Sequence, residues 1–135
     1  MEILHAGADV TVQDQTCYFT GIVIIEQRFE RPAPARLTGA VVTFQPSART
    51  AWHTHPIGQT LVVTSGSGFV QHEGEPAQHI SLGDIVWIPP CVRHWHGASP
   101  TSIMTHVALA EALDGKVVDW LVKVSELEYR SSWDI

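Results

Sequence analysis

Apolar and polar residues alternate in short runs along most of this chain, and glycine and proline punctuate the runs. Six stretches read as β-strands on that pattern: GIVII (21–25), GAVVTF (39–44), QTLVVTS (59–65), GFVQHE (68–73), DIVWIP (84–89) and SIMTHVALA (102–110). Between them QPSART, SGSG, EGEP and PPCV have the chemistry of turns. Short strands at such spacing predict an all-β sandwich or barrel. The period changes only near the end, where Val117, Trp120, Leu121 and Val124 follow helical spacing. Ser125 and Glu128 then have the spacing of a capping box for a further turn. The prolines of RPAPAR (31–36) exclude it from a central strand and predict an ordered loop.

Alternation also says which side chains meet. Alternate residues of a strand share a face, so in TAWHTH His53 and His55 point one way with Ala51, and Trp52 and Thr54 point the other. In RHWHG, His94 and His96 pair up and Trp95 faces away. Gln59 shares a face with Leu61 and Val63, and His106 with Met104, Ala108 and Ala110. If the sheet closes, these faces converge on one small interior. Buried imidazoles are costly unless each nitrogen finds a partner, and a metal ion is a good one.

Composition narrows the possibilities. A chain of 135 residues with 44% apolar and 16% charged residues is long enough for one continuous core, so a single domain over residues 1–135 is expected. The formal charge of −6 argues against a nucleic-acid partner. The scattered lysines and arginines give no basic stripe for a membrane, and no segment is apolar enough to span one. MEILHAGADV lacks the positive flank and apolar run of a signal peptide, and two cysteines make no disulfide framework, so a cytoplasmic location is expected. Eight histidines and five tryptophans are many for this length. Each has an ordinary explanation to set against a functional one. His5, His72 and His79 suit solvated positions, and His96 and His106 could be satisfied polar residues of a core. Trp52, Trp87, Trp95 and Trp120 suit core or interface positions better than a substrate platform, and Cys91 suits a small structural residue better than a nucleophile.

Two segments together carry a more specific signal. They resemble the two motifs of the cupin family. In the first, His53 and His55 take the paired-histidine places, Gln59 stands where glutamate is usual, and Gly66 closes the motif. In the second, Gly83, Pro89 and His94 are in register. The departures are Ser47 and Cys91 for glycines, Gln59 for glutamate and Ala98 for asparagine. Beyond the motifs, ARTAWHTHPIGQTLVVT, HWHGASPT, MTHVA and LDGKVVDW are similar to the small single-domain cupins that include manganese-dependent hydroxynitrile lyases. The resemblance implies a double-stranded β-helix (jelly-roll) barrel and a divalent metal held by His53, His55, Gln59 and His94. It also implies a pocket lined by the positions of His96 and His106, and assembly as a homodimer or homotetramer. The apolar GIVII strand is a further reason to expect pairing between copies, since a small barrel could leave it at an edge.

Glutamine in place of glutamate has a physical meaning. It coordinates through a neutral carbonyl oxygen, so a bound divalent ion keeps its full formal charge and polarises an oxygen or an anion strongly. Three nitrogens and one oxygen suit Mn(II), Fe(II), Ni(II) and Zn(II) alike, with Mn(II) first by the resemblance. The leading expectation is reversible cleavage of a cyanohydrin to an aldehyde or ketone and hydrogen cyanide. In it His106 manages the proton, His96 is second choice, and Ala40, Val42 and Ala110 shape the substrate pocket. The alternatives are an Fe(II) dioxygenase acting on a small enediol or diketone, and a non-catalytic, metal-dependent sensor of a small anion.

Overall fold

The computed structural model describes residues 1–133 as twelve strands and one helix. The strands are β1 (Thr11–Asp14), β2 (Phe19–Thr20), β3 (Ile22–Glu30), β4 (Leu37–Phe44), β5 (Arg49–Thr50), β6 (His53–Thr54), β7 (Gln59–His72), β8 (Gln78–Ser81), β9 (Ile85–Ile88), β10 (His94–Ala98), β11 (Met104–Glu111) and β12 (Asp119–Trp120), followed by α1 (Glu126–Trp133). Every strand pairing is antiparallel, and the path β1-β3-β4-β11-β7-β10-β5-β2 wraps into a nearly closed barrel, as the double-stranded β-helix requires. No helix among the described residues is long and apolar enough to cross a membrane.

Long β7 makes the closure possible. Its first half pairs with β11 and β9, and its second half with β10 and β8. The turn expected at SGSG is therefore a bend within one strand, and QTLVVTS and GFVQHE are two halves of β7. The bend needs Gly66, which has φ 71, because a Cβ there would collide with the carbonyl oxygen of Ile103. Turn-like composition here marks a strand passing from one sheet to the other.

Alternation sorts the core as the pattern predicts. Val23, Ile25, Val42, Phe44, Val63 and Met104 fill the interior, together with Phe19, Ala48, Ile80 and Ala98. A second cluster of Trp52, Phe69, Trp95, Val124 and Tyr129 lies on the other side of β10. All five residues of β10 are therefore buried. The Ser125–Glu128 capping box forms as expected: the Glu128 N–H donates to Ser125 Oγ at 3.1 Å, and the Ser125 N–H to Glu128 Oε1 at 2.9 Å. The Tyr129 hydroxyl donates to the Ala98 carbonyl at 2.7 Å, tying the helix to β10.

Two expectations fail. Residues 117–124 are not helical; Asp119 and Trp120 pair with Thr54 and His53 as β12. Their apolar spacing serves a segment pressed between the barrel end and the second cluster, where side chains are needed on both sides. The GIVII strand is not an edge, because β3 lies between β1 and β4 and the short β1 takes the edge position. RPAPAR is a loop between β3 and β4, as its prolines require.

Candidate metal centre and pocket

Five histidines meet at one end of the barrel. His53 and His94 are direct cross-strand neighbours with ring centroids 4.2 Å apart. The His55 ring lies 5.0 Å from that of His53 and 5.5 Å from that of His94. His96, one same-face step along β10 from His94, is 5.2 Å from His53, and His106 on β11 is 4.9 Å from His96. All five are buried. The alternation rule thus places these histidines correctly, and Trp52 and Trp95 turn away into the second cluster as expected.

Hydrogen bonds divide the five. The Nδ1–H groups of His53, His55 and His94 donate to the carbonyls of Ala51 (2.8 Å), Val117 (2.8 Å) and Val92 (2.9 Å). A carbonyl can only accept, so each ring is held as the tautomer whose Nε2 carries a free lone pair. That is the usual outer support of a metal-ligating histidine. His55 is further pinned by the Cys91 N–H, which donates to its carbonyl at 2.9 Å. Cys91 (φ 62) and Ser47 (φ 69), the two residues in the places of motif glycines, keep the left-handed backbone that glycine favours. Gln59, at the start of β7, is buried as well.

Three of these ligand atoms lack a well-formed hydrogen bond, and His55 and Gln59 lie close enough to interact with each other. Nε2 of His55 and His94 and Oε1 of Gln59 are buried without a hydrogen-bond partner among the described residues. Unsatisfied buried polar atoms are costly, and such a convergence of lone pairs fits a divalent cation. Burial pushes the His94 imidazole down to about 4 and lowers His55, and it lowers His53 well below its ordinary value with help from the neighbouring His94 and His55. The rings are therefore neutral near pH 7 and available as ligands. A second grouping overlaps this one, since ligand nitrogens of His53, His94 and His96 lie within 4.8 Å of one another. The anchoring favours His55 over His96 as the third nitrogen ligand, because Nδ1 of His96 is held by another imidazole and not by a carbonyl.

That imidazole is His106, whose Nε2 lies 3.1 Å from His96 Nδ1. Nε2 of His96 and Nδ1 of His106, the outer ends of the pair, have no partner among the described residues. Burial lowers His96 well below its ordinary value and takes His106 to about 4. His96 stands between the three anchored histidines and His106, so it is the nearer of the two to the candidate metal position.

Four of the five histidines open onto a pocket of about 650 Å³. His53, His55, Gln59, His96 and His106 line it, as do Ala40, Val42 and Ala110. Phe44 packs beside His106 with ring centroids 5.3 Å apart. Sequence reasoning missed Trp120, which lines the pocket 4.8 Å from the His53 ring and stacks on Tyr18 at 4.8 Å. Reading its segment as helical hid that role, although LDGKVVDW carried the resemblance. Trp87 is exposed on β9, away from the pocket.

Residues 40–107 match the cupin domain family. The chain is 52% identical to an (R)-mandelonitrile lyase of Granulicella tundricola over 130 residues, 96% of this chain and 99% of the relative. The crystal structure of a cupin-like protein from Thermotoga maritima superposes with a TM-score of 0.84 at 35% identity, covering 97% of each chain. The polyketide cyclase RemF of Streptomyces resistomycificus shares the fold, with a TM-score of 0.71 at 16% identity over 96% of this chain and 91% of that one. With the barrel, the two histidine motifs and these matches in agreement, the chain belongs to the cupin family.

Proposed function

We propose that this protein is a metal-dependent hydroxynitrile lyase that reversibly cleaves an aromatic cyanohydrin to an aldehyde and hydrogen cyanide. The observation that carries the reading is 52% identity, over nearly the whole of both chains, to a relative named (R)-mandelonitrile lyase. His53, His55, His94 and Gln59 would hold the cation, with Mn(II) the first choice. When bound, it supplies Lewis acidity that favours negative charge on an oxygen or on cyanide in the pocket.

The chain's own residues supply the rest. Ile25, Val42, Phe44, Ala108 and Trp120 give the pocket an apolar wall against which an aromatic ring can lie and exclude water. The His96–His106 pair can take up the hydroxyl proton at one outer nitrogen and shift the proton shared between the rings. The C–C bond then breaks, its electron pair leaves as cyanide, the C=O bond forms, and the proton is returned to give hydrogen cyanide. Because the two rings share one hydrogen bond, they serve as a unit, with His96 facing the reaction and His106 exchanging the shared proton with it. Manganese-loaded protein should release benzaldehyde from mandelonitrile under anaerobic conditions. Absence of carbonyl product, with oxygen uptake by iron-loaded protein, would move the reading to a dioxygenase.

A further inference from the structure

Strand β3 carries an irregularity beside the pocket. Glu26 pairs with Val41 and Phe29 with Gly39, so Gln27 and Arg28 together stand opposite Ala40. Gln27 adopts φ 54, and its side chain donates to the Leu4 carbonyl at 2.8 Å. An unbroken strand would turn Gln27 inward, on the face of Ile25, and Arg28 outward. The extra residue reverses this: Arg28 lines the pocket with Ile25, and Gln27 lines a separate hollow of about 270 Å³ with Glu2 and Leu4. Bulges beside binding sites commonly re-aim one side chain in this way.

The Arg28 guanidinium, solvent-exposed at the rim of the pocket, has little to bind. It donates to Thr11 Oγ1 at 3.0 Å and, like Arg36, Lys123 and Arg130, has no ion-pair partner among the described residues; of these four it is the one that lines the pocket. Ala40, opposite Arg28, is two residues along β4 from Val42, which pairs with His106. That separation is roughly 7 Å along the strand. Glu30 lies one same-face step further out, opposite Thr38, so Arg28 stands between it and the histidines.

We infer that the pocket takes substrates bearing a carboxylate remote from the reacting carbon, and that Arg28 binds that carboxylate at the mouth. A guanidinium matches a carboxylate with two parallel hydrogen bonds, and an apolar spacer such as a phenyl ring would reach from it to the histidines. The inference rests on the lyase reading for the chemistry at the reacting end, but recognition of the carboxylate can be measured without turnover.

Calorimetry should compare 4-formylbenzoate with benzaldehyde on the manganese-loaded wild type, Arg28→Gln and Arg28→Lys, alongside turnover of 4-carboxymandelonitrile and mandelonitrile. The expected result is about tenfold tighter binding of 4-formylbenzoate by the wild type, lost in Arg28→Gln and partly kept in Arg28→Lys. Mandelonitrile turnover should stay within about twofold in both variants, with the loss for the carboxylate substrate in KM and not in kcat. Arg28-dependent binding without turnover of either cyanohydrin would support carboxylate recognition and sink the lyase reading. Equal affinity for the two aldehydes, or a preference that survives in Arg28→Gln, would overturn the assignment of Arg28 even if lyase activity is present.

Discussion

His53, His55 and His94 each spend the Nδ1 proton on a backbone carbonyl, whereas His96 and His106 hydrogen-bond to each other. Both groups are buried in the same barrel end, and burial lowers the affinity of every ring for a proton. Their surroundings set them apart. A carbonyl anchor fixes a ring's orientation and tautomer, which suits a group that must present one lone pair to a fixed point. An imidazole partner leaves two tautomeric arrangements open, which suits a group that must gain and lose a proton. The carbonyls come from Ala51 and Val92, each two residues before the histidine it holds, and from Val117 in the C-terminal segment. That segment therefore belongs to the site although it supplies no ligand side chain.

The largest effect should come from breaking the anchored group. His53→Ala or His94→Ala should remove most of the bound metal, measured by elemental analysis, and all lyase activity, because both candidate triads include these residues. An active, metal-replete His94→Ala protein would detach the chemistry from this site altogether.

Breaking the pair should leave the metal in place and slow the reaction. His106→Ala should keep fold and metal content and lose roughly two orders of magnitude in kcat, as expected for removing a proton-transfer group. His96→Ala should lose a similar amount, and the double variant little more than either, because the rings act through one shared bond. Additive losses would show that they work separately, with His106 acting alone as the sequence suggests. Near-normal turnover in both single variants would return them to the role of satisfied core histidines.

Most of this site was legible because strands have a period of two. The His-x-His at 53 and 55, the second at 94 and 96, and His106 opposite Val42 need only that rule and a closed barrel. Gln59 was legible from its motif position. The rest depends on local exceptions that leave no periodic trace. The bulge that puts Arg28 on the pocket side of β3 rests on the φ of Gln27, a residue that shows no outward preference for such a backbone. The SGSG stretch has turn composition but serves as a bend, because β7 has partners on both sides of it. The spacing around Trp120 mimics a helix, since two residues of pairing with β6 are too few to show alternation.

Elemental analysis of His55→Ala beside His96→Ala tests the division between the two groups most directly. His55 and His96 are both buried and both close to His53, at 5.0 and 5.2 Å between ring centroids, so neither proximity nor burial tells them apart. Only the carbonyl anchor does. Both proteins should be purified, loaded with Mn(II) and stripped of free ion, and their folds compared by circular dichroism. The anchored-ligand account predicts about one metal per chain in His96→Ala and a large loss in His55→Ala. A folded His96→Ala protein without metal, beside a metal-replete His55→Ala, would contradict it and assign the centre to His53, His94 and His96.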